Sequence, residues 1–163
     1  MIFRELDTQD ITMIWKINEE GLPGTGKVSE DEIEKLLNYS ELSLGAFDEN
    51  ELLGVVICLL PRTEYGSLNY AWFNARYDDF LYVDRIAVAA AYRDRKVGTL
   101  LYQNVIGHAA KLKVPVAAEV NLEPPNPGSM RFHKRHGFSE VGQLSHGAKS
   151  VAMVMRFEGG VGF

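Results

Sequence analysis

The chain has 163 residues, 46% hydrophobic and 24% charged, with a formal net charge of −5. That length holds one domain, and the composition is that of an ordinary globular protein rather than a disordered or fibrous one. Net negative charge excludes a general nucleic-acid binder, which needs a basic field to displace counterions, and the lone Cys58 excludes a disulfide framework.

The opening MIFRELDTQD carries charge where a signal peptide is apolar, and no run approaches about 18 apolar residues, so a cytoplasmic protein with no membrane partner is expected. A short strand is predicted over Ile2 to Leu6. Asp7 or Thr8 then caps a helix to about Glu20, with Ile11, Ile14 and Trp15 at helical period. GLPGTGKV, Gly21 to Val28, matches all but the last position of the phosphate-binding pattern G-x-x-x-x-G-K-[ST]. Val28 stands where a hydroxyl must hold Mg²⁺, and an amphipathic helix precedes the segment where a buried strand is required. It reads as a loop between helices, a candidate substrate lid. Ser29 and Glu32 form a capping box for a second helix that fades at Asn38-Tyr39.

Leu42 to Phe47 and Leu52 to Leu60 are strands of a hairpin, with Cys58 a small buried hydrophobe in the second. Pro61 to Asp79 is a polar and aromatic connection. Its Tyr65, Tyr70, Trp72, Phe73 and Tyr77, with Phe80 and Tyr82 beyond, either line an acceptor pocket or build core and a homodimer contact. Core and contact is the preferred reading for most of them; Arg76 is a candidate partner for a carboxylate. Phe80 to Val88 is a central strand. A helix from about Val97 to Leu112 follows, its stripe made by Val97, Leu100, Leu101, Val105, Ala109 and Leu112. Val114 to Leu122 is a strand, EPPNP a turn, and a short helix stops at Gly137. Strands at Glu140 to Leu144 and Ser150 to Phe157 come last. This order mixes a hairpin with a crossover and predicts an α/β fold, a mixed sheet with helices on both faces.

Between the central strand and its helix lies AAAYRDRKVG, which aims backbone N–H groups and the positive helix end at one spot beside Arg93, Arg95 and Lys96. On its own this segment is equally a phosphate seat or a capped helix start with a basic surface. Two stretches together decide. VAAAYRDRKVGTLLYQ resembles the cofactor signature Q/R-x-x-G-x-G/A of the GNAT superfamily of N-acetyltransferases. Arg93 takes the first position, Lys96 stands at the first glycine and Gly98 at the second, with Asp94, Arg95, Val97 and Thr99 completing the loop. NPGSMRFHKRHGF, Asn126 to Phe138, is similar to the family's late segment, and helical spacing aligns Asn126, Ser129 or Met130, and His133.

The resemblance covers essentially the whole chain. It implies a mostly antiparallel sheet of about seven strands, splayed between the fourth and fifth, with acetyl-CoA as co-substrate. It implies that loop amides bind the pyrophosphate and that backbone N–H groups near Ile86, Ala87 and Val88 hold the thioester carbonyl. Asn126, Ser129 and Phe132 are the expected cofactor contacts of the late helix. His133 stands where the family's tyrosine protonates the leaving thiolate. Glu119 is the candidate base and Asp84 its rival; strand alternation puts Ala117, Glu119 and Asn121 on one face. His108, His136 and His146 read as structural, and no metal is expected because no cluster has metal-ligand spacing. The implied reaction moves an acetyl group to a primary amine of a small molecule, amino acid or peptide. A non-catalytic acyl-CoA sensor is the alternative that the replaced glycine and tyrosine leave open.

Overall fold

The computed structural model describes residues 1–157. A seven-stranded sheet organises them: β1 (Ile2–Glu5), β2 (Leu42–Asp48), β3 (Glu51–Leu59), β4 (Leu81–Val88), β5 (Val116–Glu123), β6 (Ser139–His146) and β7 (Lys149–Arg156). Their spatial order is β1-β2-β3-β4-β5-β7-β6, and each neighbouring pair is antiparallel except β4 with β5. The helices are α1 (Ile11–Glu20), α2 (Glu30–Tyr39), α3 (Leu68–Asn74), α4 (Val97–Leu112) and α5 (Pro127–Arg135).

The expected elements are present, and α3 is added inside the stretch read as a connection. Ser67 starts it by accepting from the Tyr70 backbone N–H, and Tyr70 and Phe73, three residues apart, turn into the core. With 7 residues it is too short to declare a period in sequence.

The sheet buries a core on each face. On one side α1, α2 and α3 set Ile14, Ile17, Ile33, Leu36, Tyr70 and Phe73 against Val55, Ile57, Tyr82 and Met153. On the other, α4 sets Val97, Leu101, Tyr102, Val105 and Ala109 against Val56, Cys58, Val83, Val120 and Val154. Each such side chain contributes roughly 1.5–3 kcal/mol by leaving water. The stripe of α4 thus contains Tyr102 where Leu100 was expected, and Leu112 is exposed. Close packing of α4 on the sheet depends on Gly54 of β3, where an added Cβ would lie 2.9 Å from Val97 Cγ1 and 3.1 Å from the Ala87 carbonyl.

One irregularity positions the site. Along β3 and β4 the register runs Ile57↔Arg85 and then Cys58↔Val83, leaving Asp84 as an extra residue on β4. Such a bulge bends its strand and turns two successive side chains to one side. Here it does both. Asp84 and Arg85 meet as an ion pair at 2.8 Å, and β4 pairs with β5 only at Leu81↔Val116 and Tyr82↔Ala117. Beyond Tyr82 the two strands part, as the resemblance implied.

Candidate active site

A cavity of about 560 Å³ fills the gap between the parted strands. Its walls come from both faces of the sheet, Glu119 and Asn69 from the α3 side, Tyr102 and His133 from the α4 side.

At one end α4 begins without any side-chain cap, so the N–H groups of its first turn have no intrahelical partner. Lys96 precedes it in a left-handed conformation, φ 63° and ψ 17°, and Asp94 is left-handed too, at φ 69°. A glycine favours this geometry; a side chain adopts it at a cost of about 1–2 kcal/mol. The lysine therefore occupies a glycine's backbone shape rather than abolishing it. At Gly98 an added Cβ would find its nearest atoms at 3.8 and 3.9 Å, leaving the helix start open to a ligand. A second hollow of about 340 Å³ adjoins here, lined by Asp94, Lys96, Val97, Thr99 and Arg135, and shares Val88, Arg93, Gly98 and Phe132 with the first. Arg93 braces the loop by donating to the Val88 carbonyl (3.3 Å) and the Glu20 carbonyl (3.0 Å). Of the residues expected at the cofactor, Arg95 stands off, lying over the Tyr92 ring at 5.4 Å; Ile86, Ala87, Asn126 and Ser129 join the others in lining the cavity.

The parted strand supplies donors. Ala89 N–H bonds back to Leu53 of β3 at 2.8 Å, so ladder alternation turns the N–H groups of Ile86 and Val88 toward the gap. An extended cofactor with a diphosphate at one end and a carbonyl at the other matches this layout: helix N–H groups with Arg93 and Lys96 for the anion, strand N–H groups for the carbonyl.

Across the cavity, Glu119 of β5 accepts from the Tyr82 hydroxyl at 2.9 and 2.8 Å and from the Asn69 amide at 3.1 Å. Burial pushes its carboxyl up to about 8, and the nearby Asp84 charge adds to the rise; the bonds from Tyr82 and Asn69 and the charge of Arg85 only partly oppose it. Asp84, the rival base, is engaged by Arg85, which also donates to Asn18 Oδ1 and to the Gly26 carbonyl, each at 3.0 Å.

His133 is buried, 4% exposed, on α5. Its Nδ1 lies 2.8 Å from the Ser129 carbonyl, which can only accept, so that nitrogen carries the proton. Nε2 of the neutral ring is then an acceptor, and the Tyr102 hydroxyl donates to it at 2.6 Å. Burial lowers the His133 pKa and His136 lowers it further, against the pull of the Ser129 carbonyl, while burial raises Tyr102. At neutral pH the proton in this pair sits on Tyr102.

Among the cavity residues that escaped the sequence reading of the site are Asn69, Tyr102, His146 and Lys149. His146, expected to be structural, lines the cavity with Nε2 buried and without a partner among the described residues. His108 does pair structurally, with Glu41 at 2.9 Å, and His136 with the Phe132 carbonyl at 2.8 Å. Arg76 lies over the Trp72 ring at 4.1 Å and donates to the Trp72 carbonyl. Of the aromatic stretch, Tyr70, Phe73, Phe80 and Tyr82 build core, and Tyr65 reaches the cavity. The GLPGTGK loop also lies over it: Gly24 and Gly26 are in its wall, and Pro23 accepts from Asn121 of β5 at 3.3 Å. Lys27, the residue that would hold a nucleotide, pairs with Glu19 at 3.7 Å on the surface. Among the described residues no His, Cys, Asp or Glu group is arranged to hold a metal, and no helix is long and apolar enough to cross a membrane.

Solved structures share this fold over nearly the whole chain. NAA60 from Arabidopsis thaliana, in complex with a bisubstrate analogue, is 20% identical with a TM-score of 0.77, over 98% of this chain and 99% of that one. Naa20 from Chaetomium thermophilum, also with a bisubstrate analogue, is 15% identical with a TM-score of 0.77, over 96% and 86%. The ribosomal-protein-S18-alanine N-acetyltransferase of Escherichia coli is 15% identical with a TM-score of 0.73, over 95% and 92%. No curated protein sequence matches significantly. The family model for the acetyltransferase (GNAT) family matches residues 11–138, which takes in the parted strands, the uncapped helix and the late helix alike. With acetyl-CoA as the co-substrate of its kind, the chain belongs to the acetyltransferase (GNAT) family.

Proposed function

We propose that the protein acetylates a primary amine by direct attack in a ternary complex, with a peptide α-amine as acceptor. The observation that carries this reading is Glu119, a carboxyl poised at about 8 in the gap between β4 and β5, opposite a hydroxyl held on His133. A base of that strength matches an ammonium whose ordinary pKa is about 7.7–8.0.

Bound acetyl-CoA supplies the activated acetyl group. The start of α4, with Arg93 and Lys96, would hold its diphosphate, and the Ile86 and Val88 N–H groups would hold the carbonyl oxygen and stabilise negative charge there. Glu119 accepts the proton that the amine nitrogen gives up. Tyr102, released from its bond to His133 Nε2, would give its one hydroxyl proton to the departing sulfur as the C–S bond breaks, and solvent would return it. In this reading the imidazole expected as the acid acts through the tyrosine.

A peptide acceptor is supported by the flanks of the cavity. The Gly21–Gly26 loop on one side and His146 and Lys149 on the other make polar walls that leave room for a chain. Two structures of similar fold were solved with bisubstrate analogues, and the NatC complex with a Gag peptide and CoA.

Thiol release from acetyl-CoA, followed with peptides of varied first residue, free amino acids and polyamines, tests the proposal. Turnover of free-amine peptides and none of their N-acetylated forms is expected. Acetyl-CoA binding by calorimetry without turnover of any acceptor would replace the enzyme by the sensor.

A further inference from the structure

We infer that Asn69 receives and orients the acceptor amine, its carboxamide oxygen taking one N–H of the nucleophile while its nitrogen holds Glu119, so that the site selects primary over secondary amines. This rests on the transferase reading above.

Asn69 lies in the first turn of α3 and lines the cavity. Its Nδ2 donates to Glu119 Oε1 at 3.1 Å, which fixes the orientation of the amide. Tyr82 has one hydroxyl proton for the two carboxylate oxygens, so with Asn69 it fills two of their roughly four acceptor positions. The other end of the amide is left over: Asn69 Oδ1 is buried with no partner among the described residues. An unpaired buried carbonyl costs about 1–3 kcal/mol, and a donor reaching Oδ1 from the cavity that Asn69 lines would relieve that cost.

The spacing states which donor. Oxygen and nitrogen of one carboxamide are about 2.2 Å apart, so Asn69 Oδ1 lies within about 5.3 Å of Glu119 Oε1, given the 3.1 Å bond between them. A nitrogen about 2.9 Å from each oxygen fits that gap. Both oxygens accept, so what sits between them must carry two N–H groups. A neutral primary amine has two, and giving one to each leaves its lone pair facing the gap between β4 and β5. A secondary amine has one N–H and must leave Glu119 or Asn69 unpaired.

The experiment compares a Gly-led peptide with its N-methylglycine-led counterpart in the wild-type protein, Asn69→Leu and Asn69→Asp. Wild type is expected to prefer the primary amine by tenfold or more in kcat/KM. Asn69→Leu, which has neither oxygen nor donor, should bring that ratio near one, and Asn69→Asp, which keeps an oxygen, should restore it. Acetyl-CoA binding within about twofold of wild type in all three shows that each variant is folded. A ratio unchanged in Asn69→Leu overturns the inference while leaving the transferase intact. If the wild type turns over neither peptide, the transferase reading fails separately. The side-chain amide resonances of Asn69 in CoA-loaded protein then decide: a shift on adding the free-amine peptide but not its N-acetylated form upholds the amine site, and no shift overturns it.

Discussion

Replacing Glu119 by Gln separates a tuned base from a buried structural carboxyl. With its carboxyl at about 8, Glu119 is about one-tenth ionised at pH 7 and about nine-tenths at pH 9. If it takes the proton from nitrogen, kcat/KM rises about ninefold across that interval. A carboxyl at its ordinary pKa of 4.5 would be ionised throughout and would give a flat profile. The amine's own titration falls in the same window, so the assay uses an aminooxy-terminated peptide, which is unprotonated from about pH 6 upward. Glu119→Gln keeps an oxygen for the Tyr82 hydroxyl and loses only the proton-accepting capacity. It should lower kcat/KM by about 10²–10⁴ and leave the remaining rate flat with pH. A flat wild-type profile with the chemical step limiting, or a Gln variant within about threefold of wild type, would refute the reasoning.

Further outcomes follow from the same geometry. Glu119 also sets a pH dependence of stability: its folded pKa of about 8 lies above the ordinary 4.5, so the fold holds the proton more tightly and loses stability as pH rises from about 4.5 through 8. Thermal melts should therefore show Glu119→Gln gaining on wild type by a few kcal/mol at about pH 9 relative to about pH 5; parallel melts would sink this account. Tyr102→Phe should lower kcat by about 10²-fold and leave acetyl-CoA affinity within about twofold, read by single-turnover kinetics and calorimetry; an unchanged kcat removes Tyr102 from the reaction. Lys96→Gly should raise stability by roughly 0.5–1 kcal/mol, by releasing the left-handed lysine, and weaken acetyl-CoA a few-fold through the lost charge. Gly54→Ala should cost about 1–3 kcal/mol in denaturant unfolding, because its Cβ meets Val97 and the Ala87 backbone.

What could be read from the sequence was local. Ser29 and Glu32 announce the start of α2, and Asn126 announces α5, because a cap is a contact between residues three apart. Alternation puts Glu119 and Asn121 on one face of β5, and both line the cavity. The bulge at Asp84 was illegible for the opposite reason: an extra residue in one strand exists only relative to its partner, and the partner here is β3. The same holds for the Tyr102–His133 bond, which joins two helices 31 residues apart in sequence. The helical period located the stripe of α4 but not its rotation, so Leu100 was expected inward where Tyr102 lies. Asn69 was hidden with α3, whose signal was a single serine cap and two aromatics.

The parting of β4 and β5 has a mechanical side. Strands β1–β4 and β5–β7 are each laced by long antiparallel ladders, yet Leu81↔Val116 and Tyr82↔Ala117 are the ladder rungs that join the two groups. A load pulling the groups apart therefore falls on those two rungs, on the packing of α4 and α5, and on the bond from Asn121 to the Gly21–Gly26 loop. A ligand backbone laid along Ile86 and Val88 would add rungs where the sheet has none, much as a peptide strand stiffens an open edge. Filling the seam and holding the substrate are then one event, so the stiffness of this sheet is set by the occupancy of its gap.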